Sequence, residues 1–133
     1  MDAPCRRGAH VREVLLIDDN PIQLTARELV LRGEGFSVSV ATTVDSALAL
    51  LRSDEVAQRF GVIVTDHVMP HASGAVFVRE LRRINPGIPV IVVTGMAEAE
   101  EEYEGLNVKF LHKPCPPPEL IATVRDAMTE PTV

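Results

Sequence analysis

Five short apolar runs, each closing on a polar or charged residue and all but the last leading into another strand by way of a helix-like stretch, leave this chain few ways to fold. Glu13-Val14-Leu15-Leu16-Ile17 stops abruptly at Asp18-Asp19-Asn20-Pro21. Residues 36–40 alternate as Phe-Ser-Val-Ser-Val, and residues 61–65, 89–93 and 107–111 are again short runs rich in Val, Ile and Leu. A strand covered on both faces of a parallel sheet needs such near-continuous apolar sequence, because neither face meets water.

Between the runs the period changes. Ile22, Ala26, Leu29 and Val30 recur at helical spacing, with Asn20 placed to cap the helix and Pro21 at its first position. Gly33 and Gly35 end that segment. Thr43 precedes a second helix with Val44, Ala47, Leu48 and Leu51 on one face, and Phe77, Val78, Leu81 and Ile84 mark a third that Asn85-Pro86-Gly87 stops. Residues 96–104 are a weakly amphipathic, Glu-rich helix candidate, and the last helix starts near Pro117 or Pro118 and presents Ile121, Val124 and Met128. Strict strand-helix alternation predicts an α/β fold with a doubly wound, five-stranded parallel sheet. Right-handed crossovers then put helices on both faces. One domain is expected over residues 12–129, with a flexible leader over 1–11 and a tail over 130–133.

A chain of 133 residues is long enough to bury one core without a disulfide or metal staple. The two cysteines, Cys5 and Cys115, stand far apart, so no structural disulfide is expected. The formal net charge of -6 disfavours general nucleic-acid binding and attachment to an anionic membrane, both of which depend on Lys and Arg. No run approaches the roughly 18 apolar residues that cross a bilayer, and the leader lacks a signal-peptide core. A cytoplasmic protein is expected.

The chemistry gathers at the strand ends. The first strand ends in Asp18-Asp19, the third in Asp66, the fourth in Thr94, and the fifth just before Lys113. In a parallel sheet all carboxyl ends point one way, and ligands bind in the crevice outside them. Three carboxylates there repel one another, about 4 kcal/mol for a pair roughly 4 Å apart at an effective dielectric near 20. Lys113 and a divalent cation are the compensating charges, and an all-oxygen, acid-rich site suits Mg2+. Asp is also a competent nucleophile for an acyl phosphate. Singly, each motif has a plainer reading: Asp18-Asp19 as a solvated turn, Asp66 as a strand end, Thr94 as a helix cap, Phe110 as core.

Together and in this order, Leu16-Ile17-Asp18-Asp19-Asn20, Val64-Thr65-Asp66-His67-Val68-Met69-Pro70, Val93-Thr94-Gly95 and Phe110-Leu111-His112-Lys113-Pro114 resemble a response-regulator receiver domain of the CheY type. The resemblance covers about residues 12–129 and implies a flavodoxin-like (βα)5 fold. It implies that Asp66 is the phosphoacceptor, loaded by a histidine kinase or a histidine phosphotransfer protein. Asp19, Asp66 and the backbone carbonyl of Val68 would ligate Mg2+ directly, with Asp18 acting mainly through water. Thr94 and Lys113 would bond the phosphoryl oxygens, Phe110 would turn inward as the aromatic switch, and the bond before Pro114 would be cis. A downstream effector would read the face formed by the fourth helix, fifth strand and last helix, on a monomer or weak dimer.

The chain departs from the family pattern at His67, where Leu is common, at Ala72-Ser73-Gly74, and at Cys115, where Phe is frequent. The stretch between Thr94 and Lys113 is a few residues shorter than in the type member, so a fourth helix that is short or irregular is expected. His67, His71 and His112 are expected to be exposed loop residues, the Glu98 to Glu104 cluster a solvated helix face, and Cys115 a packing residue. Val68 and Met96 are apolar where a polar side chain would orient an attacking water, which predicts slow autodephosphorylation. The chain ends soon after its last helix, which points to a stand-alone regulator or the receiver portion of a hybrid kinase. Two other classes remain: a pseudo-receiver that binds proteins without taking phosphate, and an enzyme or nucleotide-binding protein on the same fold. The latter lacks GxGxxG and GxxxxGK signatures here.

Overall fold

The computed structural model describes residues 13–69 and 73–129. The leader, the tail, Cys5, Pro70, His71 and Ala72 lie outside the described residues. Strands β1 (Glu13–Ile17), β2 (Ser37–Ala41), β3 (Phe60–Asp66), β4 (Val90–Thr94) and β5 (Lys109–His112) form one parallel sheet in the order β2-β1-β3-β4-β5. The helices are α1 (Pro21–Gly33), α2 (Val44–Leu51), a single turn α3 (Asp54–Ala57), α4 (Gly74–Ile84) and α5 (Pro117–Thr129).

Strand parity sorts the core into two layers. Leu15, Ile17, Ile63 and Val92 pack with Ala47, Leu48 and Leu51 of α2 and Phe77, Val78 and Leu81 of α4. Val14, Leu16, Val62, Val64, Ile91 and Val93 pack with Leu24 and Leu31 of α1 and with Leu120, Val124 and Ala127 of α5. Each fully buried Leu, Ile or Phe contributes about 1.5–3 kcal/mol of transfer free energy, which drives the closure of both layers.

Local sequence starts and stops the helices as expected. Asn20 caps α1 by accepting from the Ile22 and Gln23 amides, with Pro21 in the first position. Thr43 and Ser46 form a reciprocal capping box on α2. Gly35, at φ 92, takes the left-handed turn that follows α1.

One element is additional to the sequence reading, and one takes an irregular form. The turn α3 is extra, nucleated where Ser53 accepts from the Val56 amide. The Glu-rich stretch, expected to be a short or irregular helix, is a 3-10 helix, Ala97–Tyr103. It has no side-chain cap, and Ala99 and Tyr103 turn into the core while Glu98, Glu100, Glu101 and Glu102 stay exposed. Arg82 of α4 holds the chain that follows, donating to the carbonyls of Leu106 (2.8 Å), Asn107 (3.0 Å) and Ile88 (2.7 Å).

Candidate functional site

Strand order decides which ends meet. From β1 the chain goes to β2 on one side and returns to β3 on the other, so β1 and β3 are neighbours and the order reverses between them. That reversal is where open α/β sheets bind ligands. Ile17 pairs with Thr65 across the ladder, which sets Asp18 beside Asp66. Beyond β4, the His67 amide donates to the Val93 carbonyl (2.9 Å) and the Lys113 amide to the Thr94 carbonyl (2.9 Å). These two bonds prolong the ladder and fix the loops that carry His67 and Lys113.

Asp66 and Asp18 are both buried. Lys113 Nζ straddles the Asp66 carboxylate, 3.1 Å from Oδ1 and 3.4 Å from Oδ2, and Oδ1 also accepts from the His67 amide (3.1 Å). The Lys113-Pro114 peptide bond is cis. Burial raises the Asp18 carboxyl above its usual range, and the negative charges of Asp66 and Asp19 add to that. The Asn20 amide and the Arg27 guanidinium oppose it without cancelling it. Asp19 is exposed, and Val68 stands at the rim, 62% exposed.

Arg27 was not anticipated from sequence. Its guanidinium donates to Asp18 Oδ2 at 3.0 Å and to Gln23 Oε1 at 3.3 Å, and Gln23 Oε1 in turn accepts from Lys113 Nζ at 3.4 Å. A chain of side chains thus runs Asp18, Arg27, Gln23, Lys113, Asp66. The signal available was the i, i+4 spacing of Gln23 and Arg27 on a helix that opens directly after the acids.

Thr94 is buried at the end of β4, and its hydroxyl accepts from the Met96 amide at 3.0 Å. Phe110 is half-buried in β5 and meets the Tyr103 ring edge-on, with centroids 5.5 Å apart. His67 corrects the expectation of an exposed loop histidine. It is buried, because Tyr103 covers it: Nδ1 lies 2.7 Å from the Tyr103 hydroxyl, and the rings meet edge-on. His112 is half exposed and faces Glu100 at 2.8 Å. Cys115 packs against the layer of α1 and α5, and burial with the nearby Glu119 pushes its thiol up, away from reactivity.

Among the described residues, no three His, Cys, Asp or Glu side chains form a closed metal-ligand cluster. No helix there is long and apolar enough to cross a membrane.

The sequence profile of the response regulator receiver domain matches residues 14–125. The chain belongs to that family. It is 32% identical over 115 residues to the probable transcriptional regulatory protein TcrX of Mycobacterium tuberculosis, covering 84% of this chain and 47% of that protein. It is 34% identical over 116 residues to the response regulator receiver protein Anae109_2439 of Anaeromyxobacter sp., covering 87% of this chain and 47% of the relative. The chain therefore spans about half the length, or less, of these curated relatives. A receiver domain protein (CheY-like) from Methanospirillum hungatei superposes with a TM-score of 0.80 at 23% identity, over 89% of this chain and 94% of that one, and shows the shared fold. The receiver fold accounts for the five-stranded order β2-β1-β3-β4-β5.

Proposed function

We propose that this receiver accepts a phosphoryl group on Asp66 from a histidine kinase or a histidine phosphotransfer protein. The observation that carries it is a buried carboxylate held by Lys113 at the point where strand order reverses, with a second buried carboxylate, Asp18, beside it. An Asp66 oxygen attacks the phosphorus of the donor phosphoimidazole; a P–O bond forms, the P–N bond breaks, and the imidazole leaves and takes up a proton. Lys113, already against Asp66, pairs with the charge gathering on the phosphoryl oxygens. Thr94 is the hydroxyl at the end of the neighbouring strand available to bond them.

The donor set fits Mg2+. Every candidate ligand is an oxygen, and burial first, then the charges of Asp66 and Asp19, push Asp18 toward its protonated form, a repulsion that a divalent cation would relieve. Mg2+ keeps several waters and takes only one or two protein carboxylates, so a closed three-acid cage is not required. Asp18, Asp19, Asp66 and the Val68 carbonyl would hold it. When bound, the ion supplies positive charge to phosphoryl oxygens.

Phosphorylation adds about -1.5 to -2 charges to the pocket. The added anion draws Thr94 and Lys113, Phe110 repacks, and a partner protein reads the face built by the 3-10 helix, β5 and α5. Incubation with acetyl phosphate and Mg2+ should add one phosphoryl group, seen by intact-protein mass, and Asp66→Asn should abolish it. A parent chain that stays unmodified, and that beryllium fluoride leaves spectroscopically unchanged, is a pseudo-receiver instead. The length difference from the relatives favours a second reading for output, in which the receiver is one part of a longer regulator.

A further inference from the structure

Tyr103 is the chain's only tyrosine, and with Ala99 it is buried in a stretch whose glutamates are exposed. Three contacts account for its position. Its hydroxyl meets His67 Nδ1 at 2.7 Å, its ring stands edge-on to Phe110, and its oxygen lies over Gly74, where any Cβ would come within 2.5 Å of it. Burial first, then the charges of Glu102 and Asp66, hold the phenol above its usual range, so it remains an O–H donor. Glu102 Oε2 stands 3.5 Å from His67 Nε2. In the neutral ring this assigns the proton to Nε2 and leaves Nδ1 to accept from Tyr103.

His67 also touches the acceptor itself. Its amide is shared between Asp66 Oδ1 (3.1 Å) and the Val93 carbonyl (2.9 Å). A change in the charge or position of the Asp66 carboxylate alters how that N–H is shared, and so moves the His67 backbone. The ring cannot stay behind without breaking a buried hydrogen bond, which is costly where no water replaces it.

We infer that His67 and Tyr103 are positioning residues that carry the loading of Asp66 to the 3-10 helix Ala97–Tyr103, by a route that does not pass through Thr94. This rests on the phosphoacceptor reading of Asp66. The route is physical: carboxylate to His67 amide, His67 ring to Tyr103 hydroxyl, Tyr103 ring to Phe110. It gives the short, uncapped 3-10 helix a direct tie to the pocket and makes Tyr103 the residue on which the output face turns.

The test is the backbone amide spectrum of the full chain with Mg2+ and beryllium fluoride added. In the parent, amides near Asp66 and those of Ala97–Tyr103 should both shift. Tyr103→Phe removes only the hydroxyl, and His67→Leu removes the ring acceptor. Both should keep the shifts near Asp66 and lose those of Ala97–Tyr103. His67→Asn restores an acceptor near the place of Nδ1 and should keep both sets. The relay is overturned if Tyr103→Phe and His67→Leu respond as the parent does, or if His67→Asn loses the Ala97–Tyr103 shifts as fully as His67→Leu. A parent that shows no shift near Asp66 removes the phosphoacceptor reading, and the relay with it. The two failures are therefore distinguishable.

Discussion

Replacing Arg27 by Gln isolates the charge balance of the pocket. Asp18 is 1% exposed and its partner guanidinium, 15% exposed, lies at 3.0 Å. At that separation and an effective dielectric near 20, the bare attraction is about 5–6 kcal/mol. Arg27 regains hydration when the pair is broken and Gln keeps some polarity, so the net loss should be nearer 3 kcal/mol, in the range for removing one partner of a buried pair. The pH dependence identifies the cause. The folded-state pKa of Asp18 is raised, so its contribution is fully present below the unfolded pKa and is lost as pH rises through the folded value. Without Arg27 that value rises further, and more stability is lost on the way up. Urea unfolding in chelator-treated buffer should therefore show Arg27→Gln close to the parent at about pH 3.5 and about 3 kcal/mol weaker at about pH 7.5. In an Asp18→Asn background the Arg27→Gln loss should shrink below about 1 kcal/mol. An equal loss at both pH values, or one that survives in Asp18→Asn, refutes the reasoning.

Two further outcomes are expected. Gly74→Ala places a Cβ 2.5 Å from the Tyr103 hydroxyl and 2.8 Å from the Asp66 carbonyl, the second being backbone that cannot step aside. Thermal or urea unfolding should show a loss of about 1–3 kcal/mol from overpacking, despite the better helix propensity of Ala; an unchanged or raised stability counts against the packing described. Val68 and Met96 are exposed and apolar, and neither side chain can orient a water, so the acyl phosphate formed with acetyl phosphate should persist for minutes or longer and Val68→Asn should shorten it. A parent lifetime of seconds contradicts this.

The acids, Lys113 and Thr94 were legible because each stands at the end of a strand whose limits the apolar run already marks. The strand boundaries themselves drift by a residue or two: β5 begins at Lys109 rather than at residue 107, since Asn107 takes a positive φ of 57 and cannot continue a strand. The irregular fourth helix was also foreseeable from its length and its weak periodicity. His67 was not. It follows the last residue of β3 and opens a loop, and the tyrosine that buries it lies 36 positions away. Arg27 was missed for a related reason: a basic residue on an amphipathic helix reads as a solvated face until the helix is docked beside a buried acid.

By itself the sequence determined the alternation of strand and helix, the helix caps and the identity of the groups at each strand end, because periodicity and capping act within a few residues. Tertiary structure decided which ends become neighbours and which side chains lose water. The order β2-β1-β3-β4-β5 brings Asp18 beside Asp66, and packing of the 3-10 helix against α4 seats Tyr103 over His67. Burial depends on what segments far along the chain lay over a residue, and that geometry exists only once both layers of the core have closed on the sheet.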